Sequence, residues 1–394
     1  MIKFESIFIK EYIYIMSERK LATIQEIESI NPIVGKDRIG LATMKGLGWH
    51  VIVNKEDIHV GDKVVYFEID SIVDSSNPKF EFMAKRNFRV KTMKMAGVFS
   101  QGLCIPVKEL GMENKKVGDD VTAELKVEKY DPEAQQERVF ARVEKHNKFV
   151  KFMLRFKLSR FIYYCGRPGV RTFPTSWIAK TDEDRIQIKP YVVETYEGKT
   201  IDCSEKIDGQ SATYLLKPSK SPWQKWDFQV CSRNLQVDET GSTTYAFVNK
   251  KYGMKERLIK LLDVVKKDFP KVSYVGVQGE ILAPGVQKNK YKKTEPELYV
   301  FNIILGFDKE DKKKCGNDMV VKYCDAIGLK TVPMLPKFLM KNQTVDSMVE
   351  LSRFKSSLID MDAEGKVYRV LDEGGFVVDS FKVINPDFLI KNGD

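Results

Sequence analysis

Short runs in which apolar and polar residues alternate dominate the first third of the chain. The clearest are GWHVIVNK from Gly48, VGDKVVYFEIDS from Val60 and GVFSQGLCIPV from Gly97, and they are bounded by Gly, Asp or Asn. Alternation of this kind, broken by turn formers, is typical of β-strands joined by tight turns. Several such strands within about ninety residues, from Leu21 to about Leu110, predict a small closed barrel.

For a closed barrel of this size we expect the OB-fold. The barrel segment also carries a basic run. Between Lys85 and Lys94 the sequence reads KRNFRVKTMK. Such a run is either a solvated face of the barrel or a surface that contacts nucleic-acid phosphates, and the sequence leaves both interpretations open.

The pattern changes after Phe173, where helical and strand-like runs are mixed. In KKYGMKERLIKLLDVVKKDF (residues 250–269) apolar residues repeat at helical spacing and Pro270 follows directly, so we predict an amphipathic helix that ends there. Strand-like runs surround it without a regular strand–helix–strand rhythm. This favours an α+β domain with mostly antiparallel sheets and flanking helices. The helix face consists of Leu258, Leu261, Leu262 and Val265, and the strand-like runs are VSYVGVQGEIL, ELYVFNIILG, EGKVYRVL and GFVVDSFKVI.

These patterns divide the chain into four parts. We predict an N-terminal extension over residues 1–16, an OB-fold domain over 17–110, a connecting segment over 111–172 and a second domain over 173–394. The connecting segment contains a basic, aromatic candidate helix at 141–164.

The N-terminal extension looks apolar but does not have the pattern of a membrane segment. Charged residues interrupt MIKFESIFIKEYIYIM, which argues against a signal-peptide core or a membrane span and favours an added strand. Met16 is an alternative start. No other segment is long and apolar enough to cross a bilayer, so we predict a soluble protein with no membrane partner.

Composition narrows the chemistry. The 394-residue chain carries a net charge of +10, with a pI near 9.0, which suits a polyanionic partner such as nucleic acid. The six cysteines form no C-x-x-C pair, which favours reduced thiols in the cytoplasm or another reducing intracellular compartment. The three histidines are scattered, so acid–base or metal chemistry has to use carboxylates, lysines and water.

One short stretch, CSEKIDGQSATYLL from Cys203 to Leu216, places charged residues between strand formers. Residues two apart in an extended chain point the same way, so Lys206 and Asp208 share a face. Gly209 leaves no side chain between the backbone and a bound ligand. The lysine is either half of a structural ion pair or a covalent nucleophile, and K-x-D-G alone is weak evidence for the second.

Further residues with recognisable chemistry follow in order. SRN places Arg233 after the next strand, QGEILAPG places Glu280 on a strand before a Pro-Gly turn, and LYVFNI places Phe301 in an apolar strand. AEGKVYRV then supplies Glu364, and SFKVINPDFL supplies Lys382 in the final strand. Taken singly, Arg233 and Glu280 could be solvated or ion-paired and Phe301 could be plain core. The chain contains no P-loop, dinucleotide fingerprint or kinase signature.

In this order, the set resembles the covalent nucleotidyltransferases, which include ATP-dependent polynucleotide ligases and mRNA capping enzymes. It is most similar to a family of RNA ligases with an N-terminal OB domain and a C-terminal nucleotidyltransferase domain. FPTSWIAKTDEDRIQ (residues 173–187) resembles the box that precedes the catalytic lysine of that family. LATIQEIESINPIVGKDRIGLATMKGLGWHVIV, from Leu21, resembles its OB domain. The resemblance spans about residues 17–392.

The resemblance implies a three-step reaction that uses ATP, a divalent cation (Mg²⁺ or Mn²⁺) and RNA. The motif lysine attacks the α-phosphorus of ATP to give lysyl-AMP. The AMP passes to a 5′-phosphate RNA end, and a 3′-OH then displaces it; the expected substrate is a nick in a duplex, and no protein partner is implied. Catalytic roles are implied for Lys206, Asp208, Glu364 and Lys382. Nucleotide-binding roles are implied for Glu205, Lys206, Arg233, Glu280, Phe301 and Lys382, and metal binding, mainly through water, for Asp208, Glu280 and Glu364.

Two further expectations accompany these roles, one about the pKa of Lys206 and one about geometry. A free lysine has a pKa of about 10.4, so its neutral amine is scarce at neutral pH. A bound cation and Lys382 should both lower the pKa of Lys206. We also expect Glu364 and Lys366 to share one strand face and to point, with Lys382, at a common pocket.

One position departs from the pattern of the resembled family. Its last motif commonly reads K-x-K, whereas the second position here is Ile384, so one phosphate contact is missing or comes from elsewhere. The alternatives to an RNA ligase are a DNA ligase, a capping guanylyltransferase and an inactive OB-type RNA-binding protein. The first two usually place the OB domain after the nucleotidyltransferase domain, and the retained charged residues argue against the third.

Overall fold

The computed structural model describes residues 19–130, 171–241 and 243–392. The predicted N-terminal extension and the basic, aromatic candidate helix lie outside these ranges. The described residues form two compact units that separate after residue 131, and residues 389–392 belong with the first unit. No helix among the described residues is long and apolar enough to cross a membrane.

The first unit is built on a curled antiparallel sheet. Its strands are β1 (Ala22–Ile33), β2 (Lys36–Met44), β3 (His50–Asn54), β4 (Lys63–Phe67), β5 (Ser71–Ile72), β6 (Thr92–Met95), β7 (Val98–Gln101), β8 (Leu103–Pro106) and β9 (Glu128–Lys129). The main sheet has the order β3-β2-β1-β4-β8. Its two edge strands, β3 and β8, approach each other, so the sheet curls toward the closed barrel that the alternating pattern predicts.

A 3₁₀ helix over Pro78–Arg86 packs on the apolar interior of this unit. Its buried Phe80 and Met83 pack in one cluster with Ile24 and Phe67 of the sheet. The ring of Phe80 meets that of Phe67 edge to face at 5.5 Å between centroids. A second 3₁₀ turn follows the sheet at Val107–Glu109.

Residues 111–130, which the sequence assigns to the connecting segment, pack into the first unit. Val121 and Leu125 are buried in the same apolar cluster as the sheet. The hydroxyl oxygen of Thr122 accepts hydrogen bonds from the backbone N–H groups of Leu21 at 2.9 Å and Ala22 at 3.0 Å. This segment therefore completes the core of the first unit, and its charged, mixed composition hid that role.

The second unit contains two larger sheets. Its strands are β10 (Arg171–Thr172), β11 (Asp184–Arg185), β12 (Thr200–Lys206), β13 (Gln210–Pro218), β14 (Trp226–Cys231), β15 (Leu235–Val237), β16 (Tyr274–Leu282), β17 (Glu297–Gly306), β18 (Lys312–Lys314), β19 (Lys330–Thr331), β20 (Met334–Leu339), β21 (Gly365–Leu371) and β22 (Val377–Ile384). Its helices are α1 (Val192–Thr195), α2 (Thr244–Tyr252), α3 (Met254–Asp268), α4 (Asn317–Ile327) and α5 (Val345–Glu350), with a 3₁₀ turn at Gln287–Asn289. The last helix, α6 (Pro386–Asn392), begins in this unit, and its residues 389–392 belong with the first unit.

The larger of the two sheets has the order β10-β15-β14-β13-β16-β17-β18, and β19 pairs with β17. Helices α2, α3 and α4 contribute to the same apolar cluster as its central strands. The predicted amphipathic helix is confirmed as α3, which begins after Gly253 in the left-handed region (φ 57°) and ends just before Pro270. Its predicted apolar face is buried, because that stripe is what attaches the helix to the sheet.

The smaller sheet positions the residues with candidate chemistry. Its order is β11-β22-β21-β12-β20, antiparallel except for the β11–β22 pair. One face is apolar, with Ile201, Tyr368 and Phe381 in a single cluster. The opposite face carries Lys206 on β12 and Lys382 on β22. The α+β class with mostly antiparallel sheets and flanking helices is therefore confirmed.

Candidate active site

Lys206 is the last residue of β12 and pairs with Gly365 on β21. Its Nζ lies 2.7 Å from Oε1 of Glu364, which immediately precedes that glycine. The two residues are 158 positions apart in the sequence. They meet only because β21 lies beside β12 in the sheet. The predicted grouping of a lysine with the carboxylate of the E-G motif is present.

The carboxylates around Lys206 keep it charged. Burial alone would lower the pKa of its ammonium, but the negative charges of Glu364, Glu280 and Asp208 outweigh burial and raise that pKa. The direction is opposite to the lowering expected from the sequence, because that expectation included a bound cation. The protein groups by themselves hold the candidate nucleophile as an ammonium ion.

Asp208 has a partner that sequence reasoning missed. The ammonium of Lys290 forms an ion pair with Asp208, and both side chains are about nine-tenths buried, at 10% and 13% exposed. The Asp208 backbone N–H donates to the hydroxyl of Tyr291 at 3.1 Å. Burial, and then the nearby Glu364 carboxylate, raises the pKa of Asp208 to about 6, while Lys290 and Lys206 oppose that rise.

Glu280 approaches the cluster of Lys206, Glu364 and Asp208 from the larger sheet. It lies on β16, and its Oε1 accepts a hydrogen bond from the Gly209 backbone N–H at 3.0 Å. A side chain at Gly209 would place its Cβ 2.5 Å from the Ile281 carbonyl oxygen and 2.9 Å from Cγ of Glu280. Gly209 is therefore needed for the close approach of β16, a different reason from the space for a ligand expected from the sequence.

Gly365 explains why Glu364 and Lys366 do not share a face. Lys366 pairs with Glu205, and its Nζ lies 5.0 Å from the ring centroid of Phe354. Gly365 has φ 155°, and a Cβ there would clash with the backbone of β22. This unusual backbone breaks the alternation and lets Glu364 reach Lys206. The expectation that Lys366 points with Lys382 at one pocket is wrong.

Lys382 and Ile384 lie on the same face of β22. Lys382 pairs with Val367 on β21 and with Arg185 on β11. Ile384 pairs with Gly365 and is only 3% exposed. Because Gly365 also pairs with Lys206, position 384 lies level with the candidate nucleophile across the sheet. The chain has an apolar isoleucine there instead of a second lysine.

Glu205 points away from Lys206 because successive residues of a strand alternate. Its side chain is buried, with one oxygen accepting from the Ser357 backbone N–H at 2.9 Å and the other from the Ser356 hydroxyl. The carboxylate is therefore occupied within the protein. The resemblance implies that both the side chain and the backbone of Glu205 contact adenine. This arrangement gives no support for the side-chain contact.

Arg233 and Phe301, two further residues with predicted nucleotide-binding roles, lie on other elements of the second unit. Arg233 follows β14 and donates to Asp182 at 2.5 Å. Phe301 is half-buried on β17 and packs against the apolar cluster that contains Ile207, the residue after the candidate nucleophile. Arg233 thus has an ion-pair partner in the structure, and Phe301 has the partial exposure that a ring stacking on a base requires.

A buried arginine that the sequence reasoning did not single out joins the two sheets. The guanidinium of Arg369 donates to the Ser204 hydroxyl at 2.8 Å and to the Phe301 carbonyl at 3.3 Å. It also donates to the Asn317 side chain at 3.2 Å. Arg369 therefore fixes the strand of Lys206 against the strand of Phe301.

The segment before β12 touches several of the same strands. Thr181 and Ser211 share a hydrogen bond of 3.0 Å between their hydroxyls. Glu183 pairs with Lys314 at 3.0 Å and accepts from the Ser380 hydroxyl. The segment 173–187, which resembles a ligase motif, thus contacts β13, β18 and β22 of the two sheets.

The carboxylates suit a metal bound through water. Among the described residues, no three His, Cys, Asp or Glu side chains converge into a ready set of direct ligands. Oε2 of Glu364 is buried without a hydrogen-bond partner in the described part of the chain, while Oε1 holds Lys206. A water molecule on a hard cation such as Mg²⁺ or Mn²⁺ would give that oxygen a donor, and oxygen donors are what these ions prefer.

Comparison with known proteins agrees with this geometry. A model of an OB-fold domain matches residues 21–107, and a model described as RNA ligase matches residues 199–384. No curated protein matches the sequence.

Among solved structures, Naegleria gruberi RNA ligase with pyrophosphate is 25% identical, with a TM-score of 0.73 over 96% of this chain and 100% of that one. Substituted variants of that ligase solved with ATP and Mn and with AMP and Mn are also 25% identical. Their TM-scores are 0.72 and 0.71, over 95% of this chain in both cases and over 98% and 99% of theirs.

The two sheets with a lysine and carboxylates between them define a nucleotidyltransferase-type enzyme. The two family-model matches and the likeness to the N. gruberi structures support an RNA ligase with an N-terminal OB-fold domain, the class that the resemblance predicted. The cofactor prediction, ATP with a divalent cation, agrees with the ligands of the N. gruberi structures.

Proposed function

We propose that this protein is an ATP-dependent RNA ligase that joins a 3′-OH to a 5′-phosphate at a nick, through a lysyl-AMP intermediate. The observation that carries the proposal is the lysine at the end of β12 held by a carboxylate from β21, with two further carboxylates, Asp208 and Glu280, close enough to act on its charge.

In the first step the Nζ of Lys206 attacks the α-phosphorus of ATP. An N–P bond forms, the bond from that phosphorus to the bridging oxygen breaks, and pyrophosphate leaves with the electron pair. The ammonium has to shed two protons, and Glu364, which already accepts its hydrogen bond, is placed to pass them to water. Lys382, on the same sheet face, is assigned the α-phosphate.

The carboxylates of Asp208, Glu280 and Glu364 would hold a divalent cation through water. When bound, Mg²⁺ or Mn²⁺ supplies positive charge that offsets the triphosphate and lowers the pKa of Lys206. Asp208 has to exchange its ion pair with Lys290 for this role, which would leave the Lys290 ammonium available to an incoming phosphate.

The remaining assignments concern adenosine. Phe301 stacks on adenine, since it is half-buried against the apolar cluster that contains Ile207. Glu280 and Arg233 bind the ribose, Arg233 after leaving Asp182. For Glu205 we retain only the backbone as an adenine contact, because its carboxylate is bound by Ser356 and Ser357.

In the later steps an oxygen of the RNA 5′-phosphate attacks lysyl-AMP, breaking the N–P bond and forming a pyrophosphate link to AMP. The 3′-OH of the other strand then attacks the RNA 5′-phosphorus, and AMP leaves. The OB-fold domain is assigned to RNA engagement, with its basic run between Lys85 and Lys94 on phosphates. The five described cysteines form no disulfide, in keeping with the predicted reducing compartment.

The experiment that tests this function compares ribose with deoxyribose at the last two sugars before a nick, with ATP and Mn²⁺ supplied. Only ribose carries the 2′-OH that distinguishes RNA, and the terminal sugar positions the attacking 3′-OH. We expect fast sealing with ribose there, with DNA tolerated on the 5′-phosphate strand. Equal rates would favour a DNA ligase. An adduct with GTP in place of ATP would favour a capping enzyme, and no adduct with either would favour an inactive RNA-binding protein.

A further inference from the structure

The hairpin between β13 and β14 ends in an exposed tryptophan. Trp223 is 92% exposed, more than any other aromatic residue among those the structure describes. The tip is ordered by its own hydrogen bonds: the Ser219 backbone N–H donates to the Lys225 carbonyl at 3.1 Å, and the Ser221 N–H to the Ser219 hydroxyl at 3.0 Å. The turn thus presents the indole ring to solvent on a defined support.

The charge around this ring has one sign. Between Lys217 and Trp226 the chain carries three lysines and no acidic residue. Lys217 is buried and pairs with Asp227 next to the tip of the hairpin, whereas Lys220 and Lys225 are exposed on either side of Trp223. An exposed aromatic ring between two exposed amines matches the chemistry of a nucleic-acid strand, with rings on bases or sugars and amines on phosphates.

The tip is too far from Lys206 to serve the nucleotide. Strand β13 begins at Gln210, four residues after Lys206, and runs nine residues to Pro218. At about 3.3 Å per residue, the strand spans roughly 30 Å. In an A-form RNA duplex, whose rise per base pair is smaller than the roughly 3.4 Å of DNA, that distance corresponds to roughly ten base pairs of a duplex that extends from the site.

We propose that this hairpin tip, residues 219–225, is a second RNA-binding element of the ligase, which contacts the substrate about ten base pairs from the join. Lys220 and Lys225 bind phosphates, and Trp223 packs on a ribose or base exposed in the wide, shallow minor groove of the RNA helix. The inference rests on the proposed function, since it takes the ligase substrate as the occupant.

The test is equilibrium binding of a fluorescein-labelled nicked RNA duplex, without ATP, to the full chain. Trp223→Ala should raise Kd about tenfold, whereas Trp223→Phe should retain most of the affinity. Lys220→Ala with Lys225→Ala should reduce the slope of log K against log salt by about two, as for two lost phosphate contacts. The matched control is Phe247→Ala, which removes an exposed ring (46% exposed) from α2 of the same unit and should leave Kd unchanged.

Two further measurements keep the outcome unambiguous. Self-adenylylation by Trp223→Ala should equal that of the unsubstituted protein, which shows that the variant is folded. Shortening both duplex arms to about five base pairs should abolish the difference in Kd, because the duplex no longer reaches the tip. An unchanged Kd with the long duplex would overturn the inference, as would a shift from dimer to monomer in Trp223→Ala, which would identify a second copy as the occupant. A protein that forms no AMP adduct at all would instead refute the proposed function.

Discussion

The ion pair between Lys290 and Asp208 gives a prediction whose size follows from the structure. Replacing Lys290 by Met removes the partner of a carboxylate that is 13% exposed. Breaking a buried ion pair from one side costs about 3–5 kcal/mol. Because neither side chain is completely buried, we expect the lower end, a loss of about 3 kcal/mol in the free energy of unfolding at pH 7 without divalent metal.

The sign of the pH dependence follows from Asp208. Its pKa of about 6 in the folded protein lies above the value of about 3.9 expected in the unfolded chain. Ionised Asp208 therefore reduces stability, an effect fully present above pH 6 and removed as the pH falls through 6 toward 4. The cost of Lys290→Met should follow the same course and be clearly smaller at pH 5 than at pH 7.

Urea unfolding of the full chain, followed by circular dichroism, measures these costs. Asp208→Asn combined with Lys290→Met should be more stable than Lys290→Met alone, because no unpaired charge remains. Lys288→Met, an exposed lysine in the same loop, is the control and should change stability by less than about 0.5 kcal/mol. Strictly additive effects of the two substitutions, or an equal cost at both pH values, would refute the pairing.

Three more predictions test other parts of the site and the fold. Gly209→Ala should lower both stability and adduct formation, measured by urea unfolding and labelled ATP, because its Cβ would meet the Ile281 carbonyl oxygen; wild-type behaviour would contradict this. Glu297→Gln should cost about 2 kcal/mol at pH 7: burial opposes its ionisation, but hydrogen bonds from Lys330, Tyr299 and Lys293 prevail and lower the pKa to about 2. That stability is present above about pH 4.3 and lost as pH falls toward 2, so an undiminished cost near pH 2 would contradict it. Alanine at the lysines and arginines between Lys85 and Lys94 should slow nick sealing while adduct formation is retained; an equal loss of both would mean that the OB-fold domain helps to build the ATP site.

The sequence predicted the elements that depend on strong local patterns. The apolar stripe of α3 required a helix, and Pro270 marked its end. The alternating runs between Leu21 and about Leu110 required strands, and the ordered motifs identified Lys206 and Glu364, which the structure brings to 2.7 Å.

The residues that were missed depend on contacts between distant segments. Lys290 stands in a loop with no recognisable pattern, and only the approach of that loop to β12 pairs it with Asp208. The orientation of Lys366 was wrong because strict alternation was assumed across Gly365, whose backbone interrupts it. The core role of residues 111–130 was hidden because isolated apolar residues in a charged segment have no periodicity to detect.

Some assignments stay predictions. The domain boundaries come from the sequence patterns. The individual roles of Arg233, Phe301 and Lys382, and the water-bridged metal at Asp208, Glu280 and Glu364, follow from the resemblance and are compatible with the positions described. Sealing of a nick, rather than of free ends, rests on the same resemblance.

The most direct test of the central claim is to locate the nucleotide. The full chain is incubated with ATP and Mn²⁺ without RNA, digested, and analysed by mass spectrometry for a peptide that carries AMP. We predict one AMP per chain on Lys206, no adduct in Lys206→Ala, and residual sealing of a pre-adenylylated nick by that variant, since the last step does not use the lysine as nucleophile. AMP on another residue, or an adduct that persists in Lys206→Ala, would contradict the account.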